Sequence, residues 1–436
     1  MRETETDAAD PFDTGLPPET THEDLPTLWR RYRRLPRNVF AISLVSLLND
    51  ASSEIIYPLL PVFLSLTLGA SPGVIGLIEG AAESVSSLLK LFVGYFSDRQ
   101  GKRKIFVVFG YAIANFVRPL LAFANNWHQV LLIRLTDRVG KGIRTAPRDA
   151  MIADTVPFEQ RGLAFGFHRA MDHGGAVIGP LIGYLLVLLL AANPNSPTAA
   201  DFTKLFLLAS IPAIAAVLVV GFFVRESPRR VSAAEGELAL TGRLSWRGFD
   251  SNFKRFLFIV ALFTLSNSSD AFLLLRARTA GVPVADIPLL WAMLHVSKVL
   301  SSLFGGDLSD RLGRRRLIVS GWILYAAVYA GFAFVKVGIS AWILFFIYGI
   351  YFGLAEGAEK ALVADLVKPE QRGVAYGLYN LAFGITVLPA SLLMGALWTW
   401  RGPATAFLVS AAIGSLAALL LLTTVNTAAP QKATEK

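Results

Sequence analysis

The chain is predicted to fold as an all-α integral membrane protein, with twelve transmembrane helices in two pseudo-symmetric six-helix bundles. Three observations carry this prediction. Of 436 residues, 54% are hydrophobic and only 17% charged, far more apolar than a soluble chain of this length needs for its cores. Measured against the roughly 20 residues that a bilayer core demands of a helix, the chain offers twelve candidate spans. The sequence also repeats: GYFSDRQGKRK at Gly94 returns as GDLSDRLGRRR at Gly306, and DAMIADTVPFEQRGLAFG at Asp149 as KALVADLVKPEQRGVAYG at Lys360. The offsets, 212 and 211 residues, describe one six-helix unit duplicated in parallel, which places a ligand site between the halves near the membrane midplane.

Residues 1–36 read as a disordered acidic tail ending in a basic juxtamembrane cluster; they are rich in Pro and Thr and lack the apolar core of a signal peptide. The first bundle, 37–224, holds spans starting near Val39, Val74, Ile105, Trp127, Leu163 and Leu205. Residues 225–255 form a polar, basic linker in which Trp246, Phe249 and Phe253, at helical spacing, suggest a piece lying on the membrane surface or packed within the linker. The second bundle, 256–425, has spans from Phe256, Ile287, Leu317, Ala341, Gly373 and Ala404, and 426–436 is a tail. Basic residues gather on one side, at Arg30 to Arg37, Arg99 to Lys104, Arg225 to Arg230 and Arg311 to Arg316, whereas loops such as SLTLGASPG and ANNWHQ are nearly free of them. The positive-inside rule then places both termini in the cytoplasm of a multi-pass inner-membrane protein. The same clustering accounts for the net charge of +9 without nucleic acid. With no cysteine there is neither a disulfide framework nor a thiolate metal site, and no cofactor or metal is expected.

The fourth span is the anomaly. IRLTDRVGKGIRTAPRDA carries Arg134, Asp137, Arg138, Lys141, Arg144, Arg148 and Asp149, which at 100° per residue fall within an arc of roughly 140°. Each basic group near the bilayer centre costs about 2.5–3.5 kcal/mol. The stripe must therefore face water or partners. Partners are available: Asp50 with Glu54 and Glu79 with Glu83 share helix faces at i,i+4, and the fifth span offers Arg169 and Asp172. The first-half acids Asp50, Glu54, Glu79, Glu83, Asp137 and Asp172 balance Arg118, Arg134, Arg138, Lys141, Arg144 and Arg169, and a neutral network is the least costly way to bury them. The second half offers Asp270, His295, Lys298, Glu356, Glu359 and Lys360, with Ser268 to Asp270 echoing Ser52 to Glu54. His168, His173 and His295 are further titratable candidates.

The pattern G-x-x-x-D-R-x-G-[RK]-[RK] occurs twice in register, as Gly94, Asp98, Arg99, Gly101, Lys102, Arg103 and as Gly306, Asp310, Arg311, Gly313, Arg314, Arg315. A second pattern, G-x8-G-x3-G-P-x2-G-G, is matched by Gly166, Gly175, Gly179, Pro180 and Gly183, with Tyr184 in the last place. By these motifs the chain from Arg37 to about Val425 resembles the major facilitator superfamily of secondary transporters, in particular its proton-coupled exporters. The resemblance implies that the doubled motif forms cytosolic gating loops between helices 2 and 3 and helices 8 and 9. It also implies that helices 1, 4, 7 and 10 line a central cavity, and that Arg138 with Gly142 matches the helix 4 pattern R-x-x-x-G.

The implied function is alternating-access transport of a small organic solute, as proton-coupled efflux of a drug or metabolite, by a monomer with no enzymatic activity. Asp50, Glu54, Asp172 and Asp270 are the proton-coupling candidates, since burial favours the neutral form of a carboxylate. Arg134, Asp137, Arg138, Lys141, Arg144, Arg169 and Glu356 are the cavity candidates. The alternative is proton-coupled uptake or exchange of an anionic solute bound by the basic stripe. A non-transporting sensor or a lipid translocator on the same fold is a third reading. An ATP-driven pump is excluded, because VGKGIR lacks G-x4-G-K-[ST] and no soluble stretch could house an ATPase domain.

Overall fold

The computed structural model describes residues 35–100, 102–157, 160–226, 248–368 and 371–426. Side chains at 91, 94, 95, 98–100, 303–307 and 309–311 are outside that description. Most of the acidic tail, the linker with Trp246, and the C-terminal tail also fall outside it, as do Gly101 and the side chains of Gly94, Asp98, Arg99, Gly306, Asp310 and Arg311.

The described residues form twelve long helical segments: α1 Arg37–Leu66, α2 Pro72–Gln100, α3 Arg103–Phe123, α4 Trp127–Thr155, α5 Arg161–Leu190, α6 Ala199–Phe222, α7 Ser251–Thr279, α8 Ile287–Leu312, α9 Arg314–Phe334, α10 Gly338–Asp365, α11 Arg372–Arg401 and α12 Pro403–Thr424. Ten segments are long and apolar enough to cross a membrane. The other two, α2 and α4, carry Glu79, Glu83 and Lys90 and the basic stripe. Large apolar side chains such as Phe116, Leu132, Leu189, Phe222 and Ile339 point outward, the surface a bilayer covers. Phe249 and Phe253, by contrast, are buried and pack ring to ring at 4.8 Å at the start of α7, whose first turn Asp250 caps. They belong to the protein interior and not to the membrane surface.

Each half repeats the other's packing: α2–α4 and α1–α5 in the first correspond to α8–α10 and α7–α11 in the second. Glycine makes the close approaches possible. A Cβ on Gly175 or Gly179 would lie 2.5 Å from the carbonyl oxygen of Leu47 or Ala51 on α1. Gly142 against Leu89 and Gly353 against Ser301 are related by the repeat. Gly313, at φ +86°, makes the turn into α9 in a conformation that side chains disfavour. Gly175→Val is therefore expected to force α1 from α5 and cost about 1–3 kcal/mol, read as a lower unfolding temperature in detergent. Gly166→Ala, with nothing within 4 Å of the new methyl, should leave that temperature unchanged.

The halves meet through α2–α11 and α5–α8. Two segments break where polar groups gather. α1 turns at Tyr57–Leu59, and α7 opens over Asn267–Asp270 before resuming at Ala271. Irregular backbone at such depth is tolerated where it lines a cavity.

Candidate substrate and coupling site

A cavity of about 790 Å³ lies between the halves, with Asn267–Asp270 of the α7 break in its wall. Its lining runs from Tyr57, Asp270 and Ser391 in the interior to Lys90, Asp149, Lys360 and Gly373 near the end bearing the α2–α3 and α10–α11 connections. It is open at that end, where Glu356 and Lys360 are exposed. At the other end the halves close: Gly73 packs against Gly395, Gly80 against Leu388, and Leu60–Leu66 of α1 against Ala271–Thr279 of α7.

The wall from the first half is charged, and behind it Arg134 and Arg118 are held by acids on neighbouring helices and Arg148 by the next residue of its own. Arg134 makes a two-pronged contact with Glu79, Nε donating to Oε1 at 3.1 Å and Nη2 to Oε2 at 2.7 Å. Arg118 donates to Asp137 at 2.8 Å and also to Ser52 and Asn115. Arg148 donates to Asp149 at 3.0 Å and to Ser46. Arg144 lies over the Tyr111 ring, 4.4 Å from its centroid. Arg134, Asp137 and Arg144 are thus buried among helices, while Arg138 reaches the cavity surface with Glu83, Lys90 and Asp149. Arg138 stands 3.9 Å from Glu83 and 4.0 Å from Asp137, and its Nε has no hydrogen-bond partner among the described residues. Lys141 is half-buried and, like Arg169, whose side chain is 61% exposed, is not part of the cavity lining.

The coupling candidates occupy different settings. Glu54 accepts a hydrogen bond at 2.7 Å from the Trp291 indole of α8, in the other half. Trp291 in turn packs on Tyr57 at 5.0 Å. Asp270 accepts from the Tyr348 hydroxyl at 2.8 Å and faces Lys298 at 3.8 Å, both in its own half. Asp50 accepts from the side chain of the adjacent Asn49 at 2.9 Å. Asp172 lies 3.7 Å from the buried His168 and 3.9 Å from Arg169. Glu356 pairs with Lys360 at 2.8 Å. Among the described residues no group of three or more His, Asp or Glu could hold a metal ion.

The second half supplies a wall of another kind. Phe263, Tyr348, Tyr351, Phe352, Tyr376, Tyr379 and Phe383 line it. Trp291, Lys90 and these rings were not among the expected site residues, yet the repeat offset marks some of them: Arg134, Asp137 and Lys141 correspond to Phe345, Tyr348 and Phe352, and Arg148 to Glu359. A charged stripe in one half is an aromatic stripe in the other.

At the open end the doubled motif is visible through its basic residues. Arg103 pairs with Asp154 and Arg314 with Asp365, the same contact in both repeats, tying the start of α3 to the end of α4 and the start of α9 to the end of α10. The α6 end joins this network, where Glu226 accepts from the backbone amides of Arg103 and Lys104 at 3.0 and 2.9 Å. Lys102 is exposed, and Arg315 donates to the Val425 carbonyl at 2.7 Å.

A family model described as the Major Facilitator Superfamily matches residues 42–385 and 272–436. The chain is 36% identical over 396 residues to an uncharacterized MFS-type transporter of Methanocaldococcus jannaschii, covering 89% of this chain and 95% of that protein. It is 27% identical over 347 residues to a multi-drug resistance efflux pump PmrA homolog of Lactococcus lactis subsp. lactis, covering 77% and 81%. Among solved structures, a bacterial homolog of the human lysosomal transporter Spinster, in an inward-facing and occupied conformation, superposes with a TM-score of 0.73 at 17% identity, covering 90% of this chain and 98% of that one. That likeness concerns the fold alone.

Proposed function

The chain belongs to the major facilitator superfamily of membrane transporters, and from that membership we propose that it carries a small organic solute by alternating access, driven by protons and directed outward. The observation that carries the coupling is the Glu54–Trp291 hydrogen bond at 2.7 Å. It joins the two halves beside the closed end, and its acceptor is an acid. A proton on Glu54 removes the charge that strengthens the bond, at a cost of about 1–2 kcal/mol. The closed end is then easier to part as the halves rock. The Arg103–Asp154 and Arg314–Asp365 pairs brace each half at the opposite end during that motion. Export is supported by the names of relatives, among them the Lactococcus efflux pump homolog. In this reading the basic loops, both termini and the cavity mouth face the cytoplasm across the inner membrane, and the functional unit is a monomer.

A second reading, binding of an anionic solute, is favoured by one observation: Arg138 reaches the cavity with an Nε that makes no hydrogen bond, and Lys90, which also lines the cavity, has no ion pair, both among the described residues. Proteoliposomes given a pH gradient of each sign and a panel of cationic, neutral and anionic solutes separate the two. Outward movement of cationic or neutral solutes against inward proton flow supports the export reading. Movement of anions alone, lost in Arg138→Gln, supports the second.

A further inference from the structure

We infer that Glu359 anchors a subsite for an organic cation in the aromatic wall of the cavity. The inference deepens the export reading and rests on it for the purpose of the site.

Six carboxylates line the cavity: Glu79, Glu83, Asp149, Asp270, Glu356 and Glu359. The first five each have a basic group within 4 Å, Arg134, Arg138, Arg148, Lys298 and Lys360 in turn. Glu359, only 8% exposed, has no basic partner among the described residues. Its oxygens accept from the Trp322 indole at 2.8 Å and the Tyr379 hydroxyl at 2.7 Å, both neutral donors. A buried carboxylate bonded only to neutral groups lacks a counter-charge, and an uncompensated charge in such surroundings is costly. The cavity is where a counter-charge can enter.

What surrounds that carboxylate suits one class of ligand. Phe263 stacks on Trp322 at 4.1 Å, and Tyr351 stands 6.0 Å from Phe263. Phe263, Tyr351 and Tyr379 all line the cavity with Glu359. Ring faces attract cations, most strongly when both are shielded from water. The protein already uses this wall so: the Lys298 ammonium sits 3.7 Å from the Phe352 ring centroid and 5.6 Å from that of Trp291. A monovalent cation with an apolar, ring-bearing body would place its charge toward Glu359 and its body on the rings. A volume of about 790 Å³ is within the range of pockets that take drug-sized ligands.

The test uses two probes of one shape and opposite charge, tetraphenylphosphonium and tetraphenylborate, binding to the full-length protein in detergent. Wild type is expected to bind the phosphonium and to discriminate against the borate. Glu359→Gln should weaken phosphonium binding at least tenfold without weakening borate binding, and Glu359→Asp should recover part of the loss. Tyr351→Leu, which leaves the carboxylate in place, should weaken phosphonium binding several-fold and supplies an independent result if Glu359→Gln folds poorly. Equal binding of both probes by wild type, or undiminished phosphonium binding by Glu359→Gln, overturns the subsite. Undiminished binding with loss of proton-driven flux would overturn it in favour of a proton site. Phosphonium binding that depends on Glu359, in a protein that moves no solute under any gradient, would retain the subsite and remove the export reading.

Discussion

Glu54→Gln is expected to reduce solute flux driven by a pH gradient at least a hundredfold, while exchange of solute without a gradient persists. The amide keeps the size of the acid and a carbonyl to accept from Trp291, so the resting contact between α1 and α8 remains possible. What is lost is the ability to exist in charged and neutral forms, and with it the link between a proton and the closed end. A hundredfold corresponds to about 2.7 kcal/mol in a rate-limiting barrier. Asp270→Asn should give a milder loss, because its partners Tyr348 and Lys298 lie in its own half and do not bridge to the other. Unimpaired proton-driven flux by Glu54→Gln would move the coupling role to Asp50 or Asp172.

The second large effect is on stability. Arg134→Met leaves Glu79 without its two-pronged partner, in a side chain only 5% exposed. Breaking a buried pair from one side costs about 3–5 kcal/mol, a fall in unfolding temperature on the order of 10 °C in detergent. Removing both charges, as Arg134→Met with Glu79→Leu, should recover most of that loss, since an apolar pair of similar volume replaces a desolvated one. A single variant as stable as wild type would show that Glu79 finds another cation, or water, without cost.

The fold was legible because its determinants are local. Apolar runs of membrane length, the repeat offset and the asymmetry of basic loops need no knowledge of neighbours. The charged face of α4 was legible for the same reason, as an arc on a helical wheel. The wheel cannot say which members of the arc reach the cavity. Arg134 and Arg138 are one turn apart on the same face, yet Glu79 on α2 claims the first and leaves the second at the cavity surface. Trp291 carried no mark in the sequence, because an indole in an apolar span reads as packing until an acid from the other half is found against it. Phe249 and Phe253 show the converse: helical spacing of aromatic residues was visible, but the surface they cover, the protein interior, was not.

The central claim is that a proton on Glu54 loosens the closed end of the cavity. The natural chain has no cysteine, so spin labels at Leu66→Cys on α1 and Thr279→Cys on α7, near the ends of two segments that pack together there, report that end alone. Double electron–electron resonance is expected to give a short label separation at neutral pH and a population of longer separations in acid. In the Glu54→Gln background the longer population should be present at neutral pH and should no longer respond to acid. A Glu54→Gln protein that keeps the short separation at neutral pH, and opens in acid as the labelled parent does, would contradict the account.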